Sequence, residues 1–359
     1  MKTHYEQRME ADLAEIRRKL RKVSDLVESQ VQKAVHSIGR ADRDLANEVI
    51  LGDRQVNRRI KQLDYLCHAF IVRHAPSAGH LRFASATLRL DVALERIGDY
   101  AGTVGREVVR LTSPPPGPIG RDMDLIAQQA RHTLSQGLKA FHEGDMALAK
   151  ETYGLADQTD LTLENVIADL LEAGERRELP LRDIFSMLRI VNLIKRVAEQ
   201  AENICEQTMF AVSGATRDRR IYRVLFVDER NDRASQIAEA YARRAFPESG
   251  TYASAGWNPA RALDPALVAF MDDHGVDMRG ARPTKLLPLK EEAEHFHVVV
   301  GLAPGTRERI GDVPYRTTVL EWTLDAPEGM EEDALKELYE TLVVRVQDLI
   351  ETLAGPDAA

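Results

Sequence analysis

Apolar residues recur every three or four positions through the first part of the chain. From Leu13 to Ile38 this spacing places them on one face of a single long helix. Similar patterns at 44–75 and 80–111 predict two further helices. Residues 113–118, Ser-Pro-Pro-Pro-Gly-Pro, cannot continue a helix, because proline lacks an amide hydrogen and its ring clashes with the preceding turn. The sequence therefore predicts a first three-helix unit over residues 1–112.

The helical pattern starts again after this segment. Apolar periodicity predicts helices near 122–143, 145–173 and 179–211. The sequence from Glu95 to Asp99 has a weak echo 100 residues later in the second half, which indicates an internal repeat. We therefore predict a second three-helix unit, over 119–213, stacked on the first.

Short apolar runs replace the helical pattern in the last part of the chain. The runs typical of buried strands are Tyr222–Val227, Thr251–Ala255, His297–Gly301 and Thr317–Leu320. Helical patterns at 233–246, 264–274 and 332–354 lie between or after them. Because strands that alternate with helices form parallel sheets, the sequence predicts an α/β domain over 220–356. The expected fold class is two tandem helical bundles followed by a parallel α/β sheet.

Composition and charge argue against several classes of function. With 57 acidic and 48 basic residues the chain has a net charge of −9, so a nucleic-acid partner is not expected. No stretch approaches the 18 or more apolar residues of a membrane span, and no secretory leader is recognised. The two cysteines, Cys67 and Cys205, lack a CxxC partner, which favours a reducing cytoplasm as the location.

Three acidic residues in the third predicted helix are candidate metal ligands. Asp91, Glu95 and Asp99 lie four positions apart, so they share one helix face over roughly 12 Å. Carboxylate oxygens in a row suit hard cations, including clusters bridged by shared carboxylates. The alternative is a solvated acidic face that pairs with arginines such as Arg89 and Arg96.

Short motifs around these acids resemble the PhoU family. They are Cys67-His68-Ala69, then Pro76-Ser-Ala-Gly-His80-Leu-Arg82, then Leu94-Glu-Arg-Ile-Gly-Asp99-Tyr-Ala101. The resemblance covers about 1–213 and implies two tandem three-helix units with a Glu/Asp-x-x-x-Asp metal motif in each. It also implies a regulator that represses phosphate-starvation signalling through the phosphate ABC transporter ATPase and a phosphate-sensing histidine kinase.

The same resemblance implies further properties of the helical half. The expected cofactors are divalent or transition metal ions (Fe, Zn, Mn, Mg or Ca), the expected oligomer is a homodimer, and membrane association is expected only through partners. The second unit departs from the motif, because Val191, Lys195 and Glu199 stand where the first unit has its three acids. Glu199 remains a candidate ligand, but no second cluster is assigned. Lys195 could place its ammonium among Glu199 and Glu202, or be an ordinary surface lysine.

The last part of the chain contains a strand, a polar loop and a helix, the arrangement that directs backbone N–H groups at an anion. Its sequence resembles the low-molecular-weight tyrosine phosphatase and arsenate reductase family over about 220–356. The residues that keep the register of the family's phosphate loop and the following helix are Val227, Asn231, Ser235, Ala238 and Glu239.

The residues that carry the family's chemistry differ here. Asp228 replaces the cysteine nucleophile, Ala234 replaces the arginine that grips the phosphate, and Ala326 replaces the general acid. Arg233 lies one position too early to act as the clamp. We therefore expect a degenerate phosphate loop that serves binding and no enzymatic activity.

Three alternatives remain open for this loop. Asp228 could act as the nucleophile of an active phosphatase or arsenate-reductase-like enzyme, as aspartate does in other phosphotransfer enzymes. The loop could also hold a divalent cation on Asp228 and Asp232, or be a solvated acidic loop. The function expected for the whole chain is a metal-binding regulator of phosphate transport and phosphate-starvation signalling.

Overall fold

The computed structural model describes residues 4–155, 160–214, 221–289, 296–314, 317–324 and 329–355. The chain divides into two compact units, 1–217 and 218–359. The first unit is helical and the second contains a four-stranded parallel sheet with helices. The fold class predicted from the sequence is therefore confirmed.

Seven described helices form the helical unit. They are α1 (His4–Ile38), α2 (Arg43–His74), α3 (Ala78–Arg110), α4 (Gly117–Glu143), α5 (Met146–Thr152), α6 (Asp160–Glu175) and α7 (Leu181–Ser213). Polar caps fix some of their ends. The Asp42 side chain, for example, accepts hydrogen bonds from the backbone N–H groups of Asp44 and Leu45, which would otherwise lack partners at the start of α2.

Two predicted boundaries in the second half of this unit are wrong. The helix predicted over 145–173 is interrupted, because α5 ends at Thr152 and Gly154 adopts a left-handed φ of 93° that an α-helix does not contain. The described residues of the second repeat therefore form four helices instead of three. Helix α4 also begins before residue 122, because Pro118 lies in its first turn, where no amide hydrogen is needed.

The two predicted three-helix units share one hydrophobic core. Helices α3 and α7 pack against each other, and their apolar residues belong to the same buried cluster as those of α1, α2, α4 and α6. A buried polar group joins the same two helices: Glu107 of α3 accepts a hydrogen bond from the Ser186 hydroxyl at 3.0 Å and pairs with Arg189 at 2.7 Å. The two helical repeats therefore pack against each other as one compact body.

Glycines allow α2 and α3 to approach closely. A Cβ atom on Gly105 would lie 2.8 Å from the Ala46 carbonyl oxygen, and one on Gly98 would lie 3.2 Å from a Val56 methyl group. Only a residue without a side chain fits at the closer of these two contacts. This approach places Asp53 of α2 directly against α3.

The α/β unit is built around its first strand. Its elements are β1 (Tyr222–Asp228), α8 (Ala234–Ala245), β2 (Gly250–Gly256), α9 (Pro265–Asp273), β3 (Val298–Gly301), α10 (Thr306–Ile310), β4 (Thr318–Glu321) and α11 (Glu332–Ala354). The strand order is β2-β1-β3-β4, and every described pairing is parallel. Strand β1 pairs with β2 on one side and β3 on the other, so the loop after β1 lies at the point where the strand order reverses, the usual ligand position in such sheets.

Apolar side chains cover both faces of this sheet. Successive residues of β1 belong to clusters on opposite faces of the sheet, Phe226 to one and Val227 to the other, which is why the strand sequence is almost continuously apolar. In the described part of the chain, no helix combines the length and apolar character that a membrane crossing requires.

Candidate functional site

The three acids predicted on α3 lie in different environments. Asp91 is buried, whereas Glu95 and Asp99 are exposed. Burial, together with the nearby carboxylates of Asp64 and Glu95, raises the pKa of Asp91 to about 8. Neither carboxylate oxygen of Asp91 has a hydrogen-bond partner among the described residues. Asp91 therefore favours the neutral form near pH 7.

Asp99 forms a pair with an acid that the sequence analysis did not identify. The carboxylate of Asp53 on α2 lies close enough to Asp99 to affect its charge state. Burial raises the pKa of Asp99, and so do the carboxylates of Asp53 and Glu95, whereas Arg106 opposes them. The Oδ1 atoms of Asp53 and Asn57, one turn apart on α2, are buried without a hydrogen-bond partner in the described structure.

The carboxylates of α2 and α3 do not complete a metal-binding group in the part of the chain that the structure describes. Within the described ranges, no group of three or more histidine, cysteine, aspartate and glutamate side chains is placed to hold a metal ion. Asp91 lies more than two helical turns from Asp99. The residues brought together are two carboxylates and a neighbouring amide oxygen, a donor set that suits a hard cation with several water ligands and does not form a closed cage. Asp53 and Asn57 have the same four-residue spacing as the acids of α3, and that spacing could have identified them.

The corresponding position in the second repeat contains a cation. The Lys195 ammonium lies 4.0 Å from a Glu199 carboxylate oxygen, and only 10 % of the Lys195 side chain is exposed. Glu202 accepts a hydrogen bond from the backbone N–H of Gly154. Of the two interpretations of Lys195, the structure favours the internal ammonium next to Glu199 over an ordinary surface lysine.

In the α/β unit, Asp228 ends β1 inside the predicted phosphate loop. Its carboxylate accepts two backbone hydrogen bonds, Oδ1 from the N–H of Asn231 at 2.5 Å and Oδ2 from the N–H of Ser235 at 2.9 Å. These amides belong to the loop and the first turn of α8, which direct N–H groups at a bound anion in this arrangement. The Asp228 carboxylate therefore occupies two backbone N–H donors that a bound oxyanion would need.

Asn231 fixes the shape of this loop. It adopts a left-handed φ of 49°, and its side-chain oxygen accepts hydrogen bonds from the Thr284 backbone N–H at 2.7 Å and the Gln236 amide at 3.0 Å. Its side-chain nitrogen donates to the Ser235 hydroxyl at 2.9 Å. Burial raises the pKa of Asp228 even though hydrogen bonds from Ser235 and Asn231 oppose this effect.

Other predicted loop residues are placed as follows. Arg233 precedes the first residue of α8, and Ala234, at the clamp position, begins the helix. Asp232 forms an ion pair with Arg230 at 2.8 Å. The predicted general-acid position, Ala326, lies outside the described residues.

The helical unit matches a known domain twice. Residues 20–108 and 123–208 each match the PhoU domain. The helical unit therefore contains two matches to the PhoU domain, one in each repeat. The first contains the Asp53–Asp99 pair, and the second contains Lys195 and Glu199.

Relatives and solved structures agree with this assignment. The phosphate-specific transport system accessory protein PhoU homolog of Pseudomonas putida is 29% identical over 215 residues, which are 59% of this chain and 83% of the relative. The crystal structure of PhoU from Pseudomonas aeruginosa has 26% sequence identity and a TM-score of 0.55, and the match covers 57% of this chain and 99% of that one. These matches cover the PhoU domains and leave the α/β unit outside.

The α/β unit has separate structural neighbours. A thioredoxin-dependent arsenate reductase of Corynebacterium glutamicum is similar to it, with 23% identity, a TM-score of 0.32, and coverage of 37% of this chain and 62% of that one.

Proposed function

We propose that this protein regulates phosphate transport and phosphate-starvation signalling. The observation that carries the proposal is the tandem pair of PhoU domains in a chain whose relatives are accessory proteins of the phosphate-specific transport system. The net charge of −9 argues against direct action on DNA and favours contact with proteins. We place this action in the cytoplasm, where the partners are the phosphate ABC transporter ATPase and a phosphate-sensing histidine kinase, and the protein acts there as a homodimer.

Binding measurements with purified partners test this contact. The full chain, immobilised on a sensor, should bind the transporter ATPase or the cytoplasmic part of the kinase saturably, and free full-length chain should compete for that binding. A failure to bind either partner, with and without phosphate, would remove the support for a contact mechanism. Sedimentation of the same preparation tests the homodimer.

The α/β unit supplies a second recognition surface in this proposal. The described residues form its parallel sheet and hydrophobic core. The Asp228 carboxylate, however, fills the loop after β1, where the strand order reverses. A fold can be retained for binding when its chemistry is lost, because function depends on sites. Removing residues 221–359 should therefore alter repression of phosphate-starvation genes. If the truncated protein represses these genes as fully as the whole chain at every phosphate level, the second surface has no role.

We expect no phosphatase or arsenate reductase turnover. Asp228 replaces the thiolate, and both of its oxygens already accept backbone hydrogen bonds, which lowers their nucleophilicity. No arginine stands at position 234 to neutralise the equatorial oxygens. Release of nitrophenol from nitrophenyl phosphate should remain at the background rate, with and without Mg²⁺.

The alternative of an aspartate nucleophile makes the opposite prediction. A turnover above background that disappears in Asp228→Asn, while Asp232→Asn retains it, would establish that chemistry. Asp232 is the matched control because it lies in the same loop and pairs with Arg230.

We further propose that the first PhoU domain binds a hard divalent cation between α2 and α3, with Asp53, Asp99 and Glu95 as ligands. Support comes from the neighbouring carboxylates of Asp53 and Asp99, because a cation between them would offset their mutual repulsion and satisfy the buried Asp53 oxygen. Asp91 as an outer or bridging carboxylate stays a prediction, as does Glu199 in the second domain.

Metal content tests this proposal. Protein purified without chelator should contain a stoichiometric divalent or transition metal by elemental analysis, and Asp99→Asn should lower that content. Glu48→Gln, an exposed α2 variant that removes one negative charge on the same helix, should leave it unchanged. Wild-type protein without any stoichiometric metal would contradict the assignment.

A further inference from the structure

A cavity of about 580 Å³ lies at one end of the helical unit, away from the acids of α2 and α3. The start of α3 contributes to its wall, together with the last residues of α4 and α7 and the first half of α1. This volume is within the range of cavities that bind small organic ligands, and it exceeds what a single inorganic anion fills.

Basic side chains surround this cavity, although the chain as a whole is acidic. Arg17, Arg18 and Arg21 line it from α1, and His80 lines it from the first turn of α3. Glu143 is the acidic residue that lines it. Arg18 forms an ion pair with Glu15, which leaves Arg17 and Arg21 as the principal cationic groups.

The arrangement of α3 adds further donors. Ser77 makes no side-chain hydrogen bond to cap this helix, so the N–H groups of its first turn, where Gly79 and His80 lie, are not capped by a side chain. The positive end of the helix dipole faces the same region. Space is open at Gly79, where a Cβ atom would meet no other atom within 4 Å.

Two histidines at the cavity have buried ring nitrogens. Nδ1 of His80 and Nε2 of His142 have no hydrogen-bond partner among the residues described. Burial of polar nitrogen atoms without partners is unfavourable, so both nitrogens are suited to hydrogen-bond with a ligand group in the cavity. Burial lowers the pKa of His142, and so does Arg21, whereas the carboxylate of Asp25 raises it.

The floor of the cavity is aromatic. The rings of Phe83 and Phe141 lie 6.1 Å apart, and the Arg17 guanidinium lies 5.1 Å from the centre of the Phe83 ring. A flat apolar group can pack on such a floor while its charged end contacts the arginines.

We propose that this cavity binds a phosphorylated small molecule, with its phosphate group held by Arg17, Arg21 and the first turn of α3. The histidine nitrogens supply neutral hydrogen-bonding groups, and the apolar part of the ligand packs against Phe83 and Phe141. Arginine suits this role because its planar donors match phosphate oxygens. Ligand binding at this site does not depend on the proposed regulatory role, because it can be measured on the purified chain without partners.

Calorimetric titration of the full chain tests the proposal, with AMP, ATP, inorganic phosphate and sulfate as separate ligands. We expect saturable binding of the nucleotides and at least tenfold weaker binding of sulfate. In the double variant Arg17→Gln/Arg21→Gln, affinity should fall by about 100-fold, since each charged hydrogen-bond donor contributes about tenfold.

Arg54→Gln/Arg58→Gln is the matched control, because it removes two exposed arginines with the same four-residue spacing from α2. It should bind as the wild type does. Four results would overturn the proposal: no saturable binding of any phosphate compound, inorganic phosphate binding as tight as that of AMP, sulfate binding as tight as that of the nucleotides, or unchanged affinity in the Arg17/Arg21 variant. Far-UV circular dichroism confirms that each variant is folded.

Discussion

Replacing Asp91 by asparagine should stabilise the metal-free helical unit by roughly 2–4 kcal/mol at pH 7. The folded state raises the pKa of Asp91 to about 8 from an ordinary value of 3.8, so the folded protein holds a proton that the unfolded chain releases. Stability therefore falls as the pH rises between these two values. Asparagine has nearly the same shape and does not titrate, so the variant avoids this loss.

The pH dependence makes this prediction specific. The difference between variant and wild type should be small near pH 4 and should grow up to about pH 8, when measured by urea unfolding with circular dichroism at the helical band. Both tryptophans, Trp257 and Trp322, lie in the α/β unit, so their fluorescence follows that unit separately. Asp124→Asn, an exposed change on α4, should have no such profile. A destabilised Asp91→Asn protein would show that the charged carboxylate has a stabilising partner, such as a cation.

Gly105→Val should destabilise the helical unit by roughly 2–3 kcal/mol, although valine is the better helix former. The new Cβ atom would lie 2.8 Å from the Ala46 carbonyl oxygen, and a backbone atom cannot rotate away as a flexible side chain can. Helices α2 and α3 must then separate, which also moves Asp53 away from Asp99. Metal content should therefore fall together with the free energy of unfolding.

The matched control for this change is in the same helix. Gly79→Val meets open space and should alter stability by less than about 0.5 kcal/mol. Equal effects of the two substitutions would mean that valine acts through helix propensity alone, and that α2 and α3 are not in close contact at Gly105.

The periodicity of apolar residues predicted the fold class because it reports which face of each element is buried. It placed α2 and α3 within a few residues and α11 at its observed bounds, whereas α1 begins at His4, well before the predicted start at Leu13. It failed at the second helix of the second repeat, where apolar residues continue on both sides of Gly154 while the backbone turns. Apolar spacing does not report a single left-handed residue, and this is the reason for the error.

The geometry of the candidate sites depends on contacts between residues that lie on different elements of the fold. The spacing of Asp91, Glu95 and Asp99 identified a helix face, but it could not reveal that Asp53 lies opposite Asp99 or that Asp91 is buried. The phosphate loop was identified from its local sequence, whereas the two backbone hydrogen bonds to Asp228 depend on how that loop folds back on its own strand. Local motifs predict local structure, and contacts between elements require the fold.

The central claim, regulation of phosphate transport, is tested most directly by deleting the gene and measuring a phosphate-starvation reporter in cells grown with abundant phosphate. We expect the reporter to become active in the deletion strain, phosphate uptake to change with it, and the full-length chain to restore repression. A reporter and an uptake rate that remain at wild-type levels after deletion, in both abundant and scarce phosphate, would contradict it.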